Sequence, residues 1–426
     1  MTDRIFMPAD ILLPNEKIDM ERWSVIACDQ FTSQPEYWEN VDKSVGDAPS
    51  ALRLMLPEAY LGRSDVDSEI EKVNAAMDRY LEDGVFRTLE NSYVYVERTI
   101  SGPGNVIRRG LVGVLDLEKY DYTAQSVSPV RATEGTVEER LPPRVKVRTG
   151  ASLEMPHIMV FIDDPDFTVI EPLGKKCGDA DKLYDFTLME DGGRVKGWRV
   201  SGENAAEVDR ALLALGGEAA LRAKYGAEAL SAPVIFAMGD GNHSLATAKR
   251  CWENMKGGLS EAERESNPAR YALVEIVNVH DAAISFKPIH RVLFDIDPDN
   301  FAAEAEKFLR GCGSGTGGGH TVTVIAGDRK ISVELSGMTI GGVIGAAESF
   351  CTEYVGRYGG RIDYVHGDGT ASRLASEPGC GGLLLPAMDK AELFSSVIRS
   401  GAFPRKSFSI GHGRDKRYYL ECRRLK

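Results

Sequence analysis

"VIFAMGDGNHSLATAK", residues 234–249, runs from an apolar stretch through Gly239-Asp240-Gly241-Asn242-His243 into residues with helical spacing. Residues 234–238 read as a buried strand. Leu245, Ala248, Trp252 and Met255 give the next segment one apolar face. The polar residues therefore fall between a strand end and a helix start. The first backbone N–H groups of a helix lack partners and the dipole there is positive. Such a place favours phosphate or carboxylate. Gly241 lets the backbone come close to a ligand. His243 can donate to an oxyanion, and Asp240 can hold a metal or accept a proton. A plainer reading is that Asp240, Gly241 and Asn242 cap a helix and turn a corner. It accounts less well for His243.

The chain around this stretch has 426 residues, enough for two domains. Hydrophobic residues at 43% and charged residues at 27% match a folded soluble protein. A net charge of −13 argues against a nucleic-acid surface. The opening residues do not form a signal peptide, and no run is long and apolar enough for a membrane helix. The seven cysteines are scattered, without the spacing of a metal knuckle or redox pair. They read as reduced thiols of a cytoplasmic protein.

Residues 66–83 carry Ile70, Val73, Met77 and Leu81 at helical spacing. Residues 92–100 and 107–117 flank Gly102-Pro103-Gly104-Asn105 as a hairpin, and 183–188 with 195–200 flank Asp191-Gly192-Gly193 as another. Residues 157–162 read as a buried strand and 205–225 as one helix. The glycine-dense stretch 311–319 reads as a surface loop and lacks the lysine of a P-loop. Strands and helices mix without strict alternation, so the expected fold class is α+β or mixed α/β, with mixed sheets and flanking helices. A soft boundary near residue 260 gives an N-terminal domain, 1–260, carrying the Asp240–Ser244 loop, and a C-terminal domain, 261–426.

Four other stretches concentrate polar chemistry. "PVRATEGTVEERLPPRVKVRTG", residues 129–150, holds Arg131 and Glu134, and arginine forks suit phosphate or carboxylate. On composition it equally reads as a charge-balanced loop and edge strand. "FKPIHRVLFD" (286–295), "YVHGDG" (364–369) and "FPRKSFSIGHG" (403–413, with Lys406 and His412) read as easily as structural strands and turns. No two of the seven histidines stand three to five residues apart, which disfavours a local zinc site. Magnesium on one or two carboxylates leaves no such signature. No Gly-X-Ser-X-Gly elbow is present.

Taken together, "ACDQFTSQPEYW", "PVRATEGTVEER", "MGDGNHSLATAK", "KPIHRVL", "DYVHGDG" and "FPRKSFSIG" resemble the bacterial and archaeal family catalogued as domain of unknown function 1015, in the family's order. The family's usual signature is Asp-Gly-His-His-Arg; here Asn242 and Ser244 stand in place of the first histidine and the arginine. That signature is similar to the nucleotide loop of the ParB and sulfiredoxin superfamily, which includes kinases of free serine. The resemblance thus implies a ParB/sulfiredoxin-like core and a small-molecule kinase that makes O-phosphoserine from ATP or ADP with Mg2+. Phosphoryl transfer needs a phosphate cradle, cationic groups or a metal, and an acid that orients the hydroxyl. The expected cradle is Gly241, Asn242, His243 and Ser244, with Arg131 and Lys406 neutralising phosphate. Asp240 is the expected magnesium ligand or base, with Glu134 and Asp29 as rivals. The expected partner is a small anionic molecule, with no nucleic acid and no membrane; the sequence leaves the oligomeric state open. A phosphatase or phosphoester transferase, or a sensor that binds phosphoserine or a nucleotide without turnover, are the alternatives.

Overall fold

The computed structural model describes residues 4–100, 106–313, 319–411 and 413–426. A large mixed sheet runs in the order Tyr120–Asp121, Val130–Arg131, Phe236–Asp240, Met159–Ile162, Tyr271–Asn278, Ile107–Asp116, Phe86–Thr99, Arg194–Val200, Lys182–Thr187. Its middle strand, Tyr271–Asn278, is buried along nearly its whole length, so its residues are mostly apolar without alternation, interrupted by the buried Glu275. Helices Gly202–Leu215 and Asn242–Lys256 share an apolar core with the sheet through Val208, Leu245 and Trp252. Helix Val66–Glu82 buries Ile70, Val73, Met77 and Tyr80 at helical spacing.

A second, smaller sheet runs Arg329–Ser336, Gly319–Ala326, Cys380–Leu384, Phe286–Phe294, Arg361–His366, with Phe408–Ile410 paired to the start of Phe286–Phe294. Helices Pro298–Cys312 and Ile340–Tyr358 pack against it through Phe301 and Phe350. The architecture is mixed α/β, as the sequence predicts. Among the described residues, no helix is long and apolar enough to cross a membrane.

Chain beyond residue 260 contributes to the first sheet. Tyr271–Asn278 lies inside the first sheet, paired to Ile107–Asp116 and Met159–Ile162. The last residues also return to the first body: Arg423–Arg424 pairs with Leu153–Glu154, and Tyr418 bridges to Ile26. The expected helix over 205–225 is two helices, Gly202–Leu215 and Glu218–Tyr225, broken where Gly216 and Gly217 lower helix propensity. The stretch expected as loop and edge strand contains a helix, Leu141–Gly150, opened by Pro142 and Pro143, where a missing N–H costs nothing. Both expected hairpins form antiparallel pairs. The turn at 102–105, most of the glycine-dense stretch and His412 lie outside the described residues.

Candidate functional site

Sheet topology collects the motifs at one edge. Phe236–Asp240 is parallel to Val130–Arg131, so Asp240 and the residues after Arg131 leave the sheet side by side. Met159–Ile162 is antiparallel to Phe236–Asp240, with Asp240 opposite Met159. His157, just before that strand, therefore lies at the same edge. Thr133 Oγ1 fastens two of these segments by donating to the Met238 carbonyl at 2.7 Å.

Gly241 stands at φ +77°, in the left-handed region. A Cβ there would come within 3.1 Å of Ile158 Cα, so glycine is needed on both counts. The helix Asn242–Lys256 starts directly after it. Asp240 Oδ1 accepts from the Gly241 N–H at 3.0 Å, and Asp240 Oδ2 pairs with Lys416 Nζ at 2.9 Å. Burial works against the Lys416 charge, but Asp240 and Asp29 outweigh it and hold the ammonium above its usual range. Burial likewise opposes the Asp29 carboxylate, yet His157, a hydrogen bond from Gln30 and Lys416 hold it low.

Glu134 behaves differently. Burial pushes its carboxyl up to about 7, although the Ser407 and Phe408 N–H groups and the charges of Lys416 and Arg291 oppose the shift. The Ser407 N–H donates to Glu134 Oε1 at 3.1 Å. The Ser407 loop is joined to the Glu134 segment by Phe403 N–H to Thr133 O at 2.7 Å, and it is gripped by Arg291, whose Nη1 donates to Lys406 O at 3.0 Å.

His243 Nε2 accepts the Val137 N–H at 3.4 Å, so the neutral ring carries its proton on Nδ1. Burial, then Arg144 and Arg140, lower its pKa to about 4. At neutral pH it is an uncharged imidazole with Nδ1–H as its donor. On either side of this contact, Thr136 Oγ1 and Asn242 Oδ1 are buried without a hydrogen-bond partner. Unsatisfied buried polar atoms are uncommon and call for an explanation, such as a ligand. Ser244 Oγ lies 2.8 Å from His157 Nε2, and His157 Nδ1 lies 2.9 Å from the Tyr419 hydroxyl.

Asp29, Glu134 and Asp240 thus share one electrostatic neighbourhood with Lys416, and His243 joins it through Asp29. Two expected phosphate contacts are engaged elsewhere. The Arg131 guanidinium is buried and donates to Ser128 O at 2.8 Å, Ala232 O at 2.6 Å and Pro233 O at 3.5 Å. It clamps two loops through Nε and Nη2. Lys406 places Nζ 4.6 Å from the centre of the Tyr364 ring, a cation–π contact on the smaller sheet. The cations that face the site are Lys416, Arg144, Arg140 and Arg405. Arg140 and Arg144 fall in the quoted stretch 129–150 and Arg405 in 403–413, whereas Lys416 falls in none of the quoted stretches. Lys416 sits in a C-terminal tail without a pattern, and Arg144 on the helix that composition hid. His157 was visible as a histidine opening an apolar run, a signal too common to single it out.

Among the described residues, no group of three or more His, Cys, Asp or Glu is placed to hold a metal ion. Both Asp240 oxygens are engaged, so magnesium there would compete with Lys416. Magnesium carried by nucleotide phosphates needs only one or two carboxylates, and Asp29 and Asp240 could supply them.

The chain belongs to the family described as protein of unknown function (DUF1015), which matches residues 10–363. No curated protein matches it. It is similar to a conserved hypothetical protein from Pyrococcus furiosus, at 12% identity and TM-score 0.33, covering 73% of this chain and 94% of that one. It is also similar to a free serine kinase in complex with AMP, at 11% identity and TM-score 0.34, covering 71% and 92%. A variant free serine kinase in complex with ADP matches at 11% identity and TM-score 0.35, covering 72% and 91%.

Proposed function

We propose that this site transfers a phosphoryl group from a nucleotide, ATP or ADP, to the hydroxyl of a small amino-acid acceptor, with serine the first to test. The observation that carries the reading is Glu134. Its carboxyl titrates near neutrality, beside a buried cation and a helix start flanked by two unpartnered polar atoms. A base with a pKa near the working pH is best suited to general-base catalysis. The helix start with Asn242 and the His243 Nδ1–H receives the phosphates, and Lys416 offsets their charge. Magnesium would add further positive charge on the phosphate oxygens. The acceptor oxygen forms a bond to phosphorus as the bond to the nucleotide's bridging oxygen breaks. The hydroxyl proton passes to Glu134, and the nucleotide leaves one phosphate shorter. The amino-acid acceptor comes from the motif resemblance set out above.

The test incubates the protein with magnesium, free serine and either ATP or ADP, and follows O-phosphoserine by mass spectrometry. Product that disappears in Glu134→Gln supports the reading. Saturable nucleotide binding without product, for any hydroxyl acceptor offered, refutes turnover and favours a sensor.

A further inference from the structure

Beside the helix start lies a cavity of about 150 Å³ that the reading above does not use. Ser244 and Thr247 line it from one face of the Asn242–Lys256 helix, and Cys28 and His157 line it at the end nearest Asp29. Its other walls come from Leu56, Leu61, Met77, Val147 and Ile158, among other apolar side chains. The helix Leu141–Gly150, which packs along Asn242–Lys256, closes one side with Val147.

The polar side chains of the lining are already engaged. Arg144 Nε donates to Glu58 Oε1 at 2.8 Å. Glu154 accepts from the Leu273 N–H at 2.9 Å and from Arg423 and Arg148, each at 2.5 Å. His157 has a partner on both ring nitrogens, and Thr247 Oγ1 donates to His243 O at 2.7 Å. A nucleobase placed here would bury ring nitrogens without partners, which costs several kcal/mol. A hydrocarbon group meets no such cost. The volume matches cavities of roughly 150 Å³ that take up benzene.

We infer that this cavity is a hydrocarbon subsite, holding an apolar group of up to benzene size on the acceptor whose polar end lies at Asn242–Ser244. The inference rests on the phosphoryl-transfer reading only for the identity of the acceptor. Serine, with a single β-carbon, would leave the cavity empty; a β-aryl or longer aliphatic hydroxy amino acid would fill it.

The experiment labels the methionine methyl groups with ¹³C and adds benzene, then adenosine, to the full chain. Met55 and Met77 line the cavity and Met238 does not. Benzene is expected to shift the Met55 and Met77 signals and to leave Met238 in place. In Val147→Phe and in Leu61→Phe, each checked for an unchanged circular dichroism spectrum, affinity for benzene should fall at least tenfold while ADP affinity holds. No shift with benzene, or equal affinity in both filled variants, overturns the subsite. Shifts with adenosine that both filled variants abolish would assign the cavity to the base and overturn the hydrocarbon assignment. Phosphorylation rates for serine and 3-phenylserine then test the acceptor: phenylserine should be favoured at least tenfold in kcat/KM, and a preference for serine refutes the claim. If no acceptor is phosphorylated while benzene binds, the transfer reading fails and the cavity assignment stands.

Discussion

Replacing Glu134 by glutamine tests the centre of the site without any assay of turnover. The glutamine carbonyl can still accept the Ser407 N–H that now reaches Glu134 Oε1 at 3.1 Å, so the main change is the loss of a charge. Burial raises the Glu134 pKa from its ordinary 4.5 to about 7. Between those two values the folded chain holds a proton that the unfolded chain has released, so stability falls as pH rises through that window. Below it both states are protonated and Glu134 costs nothing; above about 7 the full penalty of a buried carboxylate is present. At about 1.4 kcal/mol per pH unit, the difference amounts to at most about 3 kcal/mol. Glu134→Gln removes that penalty. Urea unfolding of the two proteins should coincide at pH 4.5. At pH 8 the variant should be the more stable by up to about 3 kcal/mol. Equal stabilities at both pH values would refute the claim that Glu134 is held neutral. The same group, if it is the base of the proposed transfer, should make kcat rise with pH through about 7 in the parent protein. In Glu134→Gln activity should fall by about 100-fold or more, with that rise lost.

Four further substitutions separate the neighbouring roles. Asp240→Ala and His243→Ala should each lower kcat roughly 100-fold if they act on the transition state; near-normal turnover in both folded variants would remove them from the site. Lys416→Met should weaken ADP binding by about tenfold or more, because it removes a charge-assisted contact; calorimetry showing unchanged affinity would shift the phosphates away from Lys416. Arg131→Met should destabilise the fold by about 3 kcal/mol, since three carbonyl contacts lose a charged donor. Its ADP affinity should hold, and a loss of ADP affinity with normal stability would restore Arg131 as a phosphate ligand.

The reason some of this was legible and some was not lies in how the site is built. Residues 234–249 announced themselves because a strand end, a left-handed glycine and a helix start are local events. The structure places Gly241 at φ +77° and starts the helix at Asn242. Glu134 was legible as one charge among several in residues 129–150 and, through the family resemblance, as a rival acid to Asp240. Its nearness to Asp240 depends on the parallel pairing of Val130–Arg131 with Phe236–Asp240, about a hundred residues on. No local pattern encodes that pairing. The partners of Arg131 were not legible because they are decided by tertiary packing: here it donates to three carbonyls. Lys416 was hidden because a lone lysine in a C-terminal tail gives no periodic signal. The tail is held at the site by Arg417, which pairs with Glu275 and Glu421, by the backbone bonds of Ala27 and Tyr419 to Arg417 and Val25, and by Arg98 and Arg108, which donate to the Arg414 and Asp415 carbonyls.

Under the proposed function, that tail would supply the positive charge that the resemblance assigns to an arginine at position 244. At position 244 a long cationic side chain would meet His157, whose Nε2 now lies 2.8 Å from Ser244 Oγ, and would cross the mouth of the 150 Å³ cavity. Serine keeps the mouth open and ties the helix to His157. The positive charge comes from outside the signature: Lys416 on Asp240, and Arg144, held by Glu58 on the far side of the cavity. On the proposed reading, serine at position 244 and the open cavity go together. Ser244→Arg tests the link: it should block benzene at the Met55 and Met77 methyl groups while leaving ADP affinity equal or higher. Unimpeded benzene binding in Ser244→Arg would show that the two features are independent.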